Sequence, residues 1–269
     1  PPSELDGWYG PERNFNYATE VQPVLDRHCV SCHDYGGDAE EINLSGDKGI
    51  LFSNSYINLM RSSPSYYVRS EHEDVEPKPL ISSVGAGPVK ILPPYSWGSH
   101  CSRLVDLLQE GHYDVELDGE EFDRLVTWID LNTPYYPDHS SYYYRNTAGR
   151  SPLDHQQLQE LGELVLQSSN GSQYGWNRVN EYQAQQLGGL MTKYGPIANF
   201  TRPENSLCLQ GFEDVGDPGY SRALELIRLG GEALQEHPRC EMPGYIPCEA
   251  HQLQSEFLAE QLQRLSAVE

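Results

Sequence analysis

The feature that most constrains this chain is the pentapeptide CVSCH at residues 29–33. Two cysteines separated by two residues and followed at once by a histidine form the attachment signature of c-type haem. On a helical turn, this spacing sets both thiols beside the two vinyl groups of one porphyrin and the imidazole beneath the iron. The motif therefore predicts one covalent haem c, attached at Cys29 and Cys32, with His33 as an iron ligand.

Other chemistries of a C-x-x-C pair fit the surrounding sequence less well. A thioredoxin-type dithiol needs a strand before the motif and a helix after it, whereas here a helical pattern precedes it and the turn-forming residues DYGGD follow it. A zinc site needs a second ligand pair such as another C-x-x-C, and the chain has none. The haem interpretation is therefore favoured over both.

The residues before the motif predict an amphipathic helix that delivers the cysteines to the haem. Val21, Val24 and Leu25 recur at spacings of three and four, which is the period of one helix face. Thr19 is predicted to be the N-cap of this helix, and Pro23 falls in its first turn, where proline is tolerated.

The composition limits the partners of the protein. Its 269 residues include 40 acidic and 18 basic side chains, for a formal net charge of −22. Nucleic acids and anionic membrane surfaces are therefore poor partners, and a protein with a cationic docking face is favoured. No run approaches the roughly 18 apolar residues of a membrane helix, so no membrane-spanning segment is expected. Because the sequence begins PPSELDGWYG, with neither Met nor a signal h-region, we expect a removed leader or a fragment of a longer protein.

A second patterned segment lies about 70 residues after the motif. Residues 102–109 predict a short helix with Leu104, Leu107 and Leu108 on one side, and Gly111 is suited to end it. Asp118 and Glu121 then form a capping signal for a helix that ends near residue 132. The buried face of that helix is predicted to comprise Phe122, Leu125, Val126, Trp128 and Ile129.

These two segments together resemble a known family. The strings VQPVLDRHCVSCH, SRLVDLLQEGH and LVTWIDLNTPYY resemble the single-haem cytochrome c domain of planctomycete-type secreted proteins similar to the hydrazine synthase α subunit. The resemblance covers roughly the first 140 residues. It implies a cytochrome c-like fold, a periplasmic or secreted location and a second iron ligand in the loop before the last helix of that domain.

His112 holds the position at which related cytochromes carry a Met-Pro ligand. The resemblance thus predicts bis-histidine ligation by His33 and His112, although a histidine beside a helix-ending glycine is also commonly a helix-end cation. His100 and Met242, the latter in the Met-Pro of CEMPGY, are the alternative second ligands.

The second half of the chain predicts a separate helical domain. Residues 138–150 are polar and rich in turn formers, so we expect a haem domain at 1–140, a linker, and a helical domain at 151–269, possibly cytochrome-like but without its own haem. Helices are predicted from Asp154 to residues 170–171, over residues 181–191, from Asp217-Pro218, and along the C-terminal leucines. One or two disulfides could join Cys101, Cys208, Cys240 and Cys248, and the pairing stays open.

The sequence thus predicts a mainly α protein, with a cytochrome c-like haem domain followed by a second helical domain. One-electron transfer is the favoured function. The alternatives are a haem enzyme or gas sensor with a labile sixth ligand, acting on nitrogen oxides or peroxide, and a redox domain of a larger secreted polysaccharide-degrading protein. Binding of carbon monoxide or nitric oxide to the reduced protein separates these classes.

Overall fold

The computed structural model describes residues 8–11, 13–60, 79–84, 91, 93–168, 191–192 and 195–266. The mainly α class is confirmed for these residues, whose regular structure is helical apart from one antiparallel pair of two-residue strands, β1 (Met191–Thr192) and β2 (Gly195–Pro196). The helices are α1 (Tyr17–Glu20), α2 (Gln22–His28), α3 (Asn54–Met60), α4 (Arg103–Glu110), α5 (Gly119–Asp130), α6 (His155–Gln167), α7 (Pro218–Glu236) and α8 (Glu249–Ser266). None of these helices is long and apolar enough to cross a membrane.

The chain divides into two compact units. Unit 1 comprises residues 1–46 and 55–137, and unit 2 comprises residues 47–54 and 138–269. The change of unit after residue 137 falls beside the predicted linker, but the assignment of residues 47–54 to unit 2 has no counterpart in the sequence-based division. Unit 1 carries the CVSCH motif and His112.

The helical segment before the motif begins earlier than predicted. Asn16 is the N-cap, since its side chain accepts a hydrogen bond from the Ala18 N–H at 3.0 Å. The predicted cap, Thr19, lies inside α1, so that assignment is wrong. Asn at the cap accepts this bond as well as Thr does, and the sequence offers both residues within four positions. A break at Val21 separates α1 from α2, which has Pro23 in its first turn.

An aromatic cluster forms the core of unit 1. Tyr17 and Trp128 are fully buried, and their ring centroids are 5.2 Å apart. Tyr135 and Tyr56 pack on the same Tyr17 ring at 5.3 Å each. Two of its buried polar groups are paired, because the Trp128 indole N–H donates to the Pro134 carbonyl and the Tyr17 hydroxyl donates to Ser55 Oγ. This cluster fixes α1 and the motif that follows α2 against α5.

The two helices of the second patterned segment form where the sequence predicts them. Gly111 ends α4 with a φ of +94°, a left-handed conformation that glycine adopts without strain. Asp118 caps α5 in a full capping box. Its carboxylate accepts a hydrogen bond from the Glu121 N–H, and the Glu121 carboxylate accepts one from the Asp118 N–H. Leu125, Trp128 and Ile129 are buried as predicted. Phe122 and Val126 are only half-buried, and Val105, rather than the three leucines, is the buried residue of α4.

Unit 2 is built on α6 and α7. Asp154 caps α6 in a second capping box, and Asp217 caps α7, as the sequence predicts. Residues 47–54 join this unit through Asp47, whose carboxylate accepts from Asn199 Nδ2 at 2.6 Å and Arg202 Nε at 2.7 Å. The Lys48 carbonyl also accepts from the Phe200 N–H at 2.7 Å. This short segment is therefore held by side-chain and backbone bonds to residues that follow it by about 150 positions.

Four further predictions, most of them for unit 2, have different outcomes. The predicted helix over 181–191 lies outside the described residues except at Met191, which is in β1, and the predicted end of α6 at 170–171 also lies outside them. The predicted C-terminal helix α8 is present, and four of the apolar residues that mark it, Leu253, Phe257, Leu258 and Leu265, are 53–68% exposed. All six cysteines are free thiols, so the suggested disulfides are absent.

Candidate haem site

The CVSCH motif adopts a helical turn directly after α2. The Cys32 and His33 N–H groups both donate to the Cys29 carbonyl, at 3.1 and 2.9 Å, and the Cys29 N–H donates to the Leu25 carbonyl at 2.8 Å. Residues at i, i+3 and i+4 of such a turn share one face. Cys29, Cys32 and His33 are therefore presented together, which is the arrangement that covalent haem attachment requires.

The imidazole of His33 is oriented by two backbone carbonyls. Its Nδ1 lies 3.2 Å from the Ala39 oxygen and 3.2 Å from the Ile42 oxygen. Because carbonyl oxygens only accept hydrogen bonds, Nδ1 is the donor in these contacts, which leaves Nε2 as the ring nitrogen that could bind a metal. A bond of this kind fixes the ring of a metal-binding histidine and raises its basicity. His33 is thus prepared to bind a metal through Nε2.

The loop after the motif folds back over it. The Ala39 N–H donates to the Cys32 carbonyl at 3.1 Å, and the Leu44 N–H donates to the His33 carbonyl at 2.7 Å. Gly37 makes this possible, since a Cβ at that position would lie 2.3 Å from the Cys32 oxygen. Gly37, the second glycine of DYGG, therefore permits the close backbone approach that brings the Ala39 and Ile42 carbonyls to His33.

The two cysteine thiols differ in their surroundings. Cys29 is half-buried, and its burial, with a smaller contribution from Cys32, raises the pKa of the Cys29 thiol to about 11. Cys32 is exposed. Both thiols are free and not joined to each other, so each is available to form its own thioether bond.

His112 lies opposite His33. It occupies the loop between α4 and α5, is half-buried, and its ring is nearly parallel to that of His33, with an interplanar angle of 24° and a centroid separation of 6.1 Å. A metal–imidazole bond is about 2 Å long and the bonding nitrogen lies roughly 1 Å from the ring centre, so two imidazoles on opposite sides of one metal have centroids about 6 Å apart. The centroid separation therefore has the value expected for two imidazoles that bind one metal.

No family model, curated protein or solved structure matches this chain. The assignment of the site consequently depends on its geometry and on the chemistry of its donor set. That set comprises two neighbouring thiols on one turn and two near-parallel imidazoles with centroids 6.1 Å apart. Among the described residues there is no group of three or more His, Cys, Asp or Glu side chains that could hold a metal ion by themselves.

The alternative second ligands, His100 and Met242, have their own local surroundings. His100 is exposed in a short 3-10 turn, where its ring packs edge-on against Tyr95 at a centroid distance of 4.8 Å. Met242 belongs to unit 2 and is half-buried, and its N–H donates to the Arg239 carbonyl at 2.8 Å. Of the two histidine candidates in unit 1, His112 is the one whose ring lies beside that of His33.

A charged contact that the sequence did not reveal joins the motif to α5. His28, the residue before Cys29, has Nε2 within 3.0 Å of both Glu121 carboxylate oxygens, and Arg27 pairs with the same carboxylate. Burial opposes ionisation of Glu121, but the His28 contact, the Asp118 N–H and the charges of His28 and Arg27 together lower its pKa below the usual value. The sequence identified Glu121 only as a capping residue, because nothing in local spacing indicates a partner 93 residues away.

Proposed function

We propose that this protein is a one-electron carrier with one covalent haem c, attached through Cys29 and Cys32 and ligated by His33 and His112. The observation that carries the proposal is the 6.1 Å separation of two near-parallel imidazoles beside two free thiols on one helical turn. When bound, the haem supplies reversible one-electron chemistry. Two imidazole ligands favour a low reduction potential and leave no open position on the iron. We also propose a periplasmic or secreted location, as the family resemblance implies.

The residues of the chain have defined tasks in such a carrier. His33 holds its ring in one orientation through the Ala39 and Ile42 carbonyls, which keeps the ligand geometry the same in both oxidation states. Glu121 fixes His28, and with it the end of α2 that presents Cys29. A rigid attachment limits the reorganisation that accompanies a change of charge at the iron, because these groups are already oriented before the electron arrives.

The two segments that carry the histidines are uniformly acidic. Residues 31–44 contain four carboxylates, and residues 109–121 contain six, with no Lys or Arg in either segment. Charge of one sign around a site steers partners of the opposite sign and speeds their association. We therefore propose a redox partner with a cationic docking face, and no nucleic-acid partner.

Electron exchange with small charged complexes tests this proposal. We expect a cationic one-electron oxidant to react fastest at low salt and to slow as the ionic strength rises, and an anionic oxidant to show the opposite trend. The double variant D38K/E40K should lower the low-salt rate with the cation by roughly tenfold. The control E256K/E260K makes the same charge change on exposed positions of α8 and should have little effect. Rates that do not depend on ionic strength would contradict electrostatic steering of the partner. A protein that does not take up and release one electron reversibly would contradict the proposed electron-carrier function.

A further inference from the structure

A thiol and an imidazole meet in unit 2, at the start of α8. Cys248 Sγ lies 3.1 Å from His251 Nδ1. Cys248 directly precedes the 18-residue helix, and its carbonyl accepts hydrogen bonds from the His251 and Gln252 N–H groups at 2.9 and 3.0 Å. The sulfur is thus next to the partially positive end of α8, which favours negative charge on it. Neither side chain has a task in the candidate haem site.

The contacts of the His251 ring make it a proton acceptor. The Ser141 N–H donates to His251 Nδ1 at 3.4 Å, and this is the nitrogen that the Cys248 sulfur also contacts. Because a backbone N–H only donates, Nδ1 is the acceptor there and is positioned to accept the thiol proton of Cys248 as well. Ser141 is buried, and its Oγ accepts from the Tyr143 N–H at 3.0 Å, so this donor is held in place. A thiol beside a base that a third group orients is the arrangement of an activated cysteine nucleophile.

The other three cysteines outside the CVSCH motif have different surroundings. Cys101 is half-buried like Cys248, but its thiol donates at 3.0 Å to the Tyr95 carbonyl, which orients the proton without removing it. Cys208 is fully buried, and burial raises the pKa of its thiol to about 12. Cys240 is also buried, and burial raises the pKa of its thiol above the usual value. Of these four cysteines, Cys248 is the one that combines an accessible sulfur with a neighbouring base.

From this contrast we propose that Cys248 is a site of reversible modification by small disulfides, with His251 as its base. The Cys248 thiol proton passes to His251 Nδ1, and the sulfur attacks one sulfur of the disulfide. The S–S bond of the small molecule breaks, a mixed disulfide forms on Cys248, and the released thiolate takes the proton from His251 and leaves as a thiol. Cys248 is oxidised and half of the small molecule is reduced, so no other oxidant is required.

Reaction of the chain with bis(2-hydroxyethyl) disulfide tests the inference, because this probe is uncharged. The mixed disulfide at each cysteine is followed over time, after an acid quench, by the mass of the peptide that contains it. Cys248 should react about tenfold faster than Cys101, which is similarly exposed, and a small thiol should restore the free Cys248 peptide. Equal rates at the two positions, or a faster reaction at Cys101, would overturn the inference. The readout is the same whether or not Cys29 and Cys32 carry a haem.

The variants H251Q and H155Q form a matched pair. Glutamine still accepts a hydrogen bond but does not take up a thiol proton, so H251Q should lower the Cys248 rate about tenfold and leave the Cys101 rate unchanged. H155Q replaces an exposed histidine at the start of α6 and should change neither rate. An unchanged Cys248 rate in H251Q would overturn the role of His251. Reaction at the buried Cys208 reports unfolding of unit 2, and in that event the wild-type ratio of the two rates decides alone.

Discussion

Replacement of His112 with alanine is expected to convert the oxidised protein from six-coordinate low-spin to predominantly five-coordinate high-spin haem. In the proposed site His112 is the second iron ligand, its ring 6.1 Å from that of His33, so its removal would leave one face of the iron without a protein ligand. Loss of a strong imidazole donor should also raise the reduction potential, by on the order of 100 mV. Visible absorption and electron paramagnetic resonance spectra report the spin state, and a redox titration reports the potential.

Two control variants make this result specific. His100→Ala and Met242→Ala remove the alternative ligands, which lie in an exposed turn and in unit 2. Both controls should keep the low-spin spectrum and the potential of the wild type. A low-spin spectrum in H112A together with a high-spin spectrum in H100A or M242A would show that His100 or Met242, and not His112, is the second ligand.

Replacement of Arg239 with alanine is expected to destabilise unit 2 by about 3–5 kcal/mol, because it leaves the Glu241 carboxylate buried without this partner. Both side chains are fully buried, and Arg239 Nε donates to Glu241 Oε1 at 2.9 Å. Arg239 Nη1 also donates to the carbonyls of Gly49 and Ile50, at 3.1 and 3.0 Å. The variant therefore weakens both the ion pair and the attachment of residues 47–54. Urea denaturation followed by circular dichroism measures the loss.

An exposed ion pair supplies the control for this prediction. Arg228 pairs with Glu204 at 2.6 Å, but both side chains are more than half exposed. R228A should therefore cost no more than about 1 kcal/mol. The double variant R239M/E241L removes both buried charges and should be more stable than R239A, since no carboxylate is left buried without its partner. Equal losses of unfolding free energy in R239A and R228A would contradict the predicted cost of breaking the buried Arg239–Glu241 pair.

The elements that were predictable from sequence are those specified by neighbouring residues. The capping boxes at Asp118 and Asp154 and the proline at the start of α7 each act within about four positions, so the sequence alone locates those helices. The turn at Cys29 is equally local, because its hydrogen bonds join residues three and four apart.

The features that were not predictable depend on residues far apart in the chain. The Asp47 bonds to Asn199 and Arg202 span more than 150 positions, and no spacing rule connects them. The wrong N-cap at Thr19 has a different cause, since Asn16 and Thr19 are both good caps and tertiary packing of Tyr17 decides between them. The apolar residues of α8 locate that helix, but periodicity shows only that an apolar face exists and not whether another element covers it.

Covalent attachment of one haem to Cys29 and Cys32 is tested most directly by the intact mass of the protein. After expression with a cytochrome c maturation system, the denatured wild-type chain should be heavier than its sequence by one haem, and the colour should remain with the protein after extraction with acidified acetone. The variant C29A/C32A should have the mass of the unmodified chain and lose any haem on extraction. A wild-type chain with the unmodified mass would contradict the account.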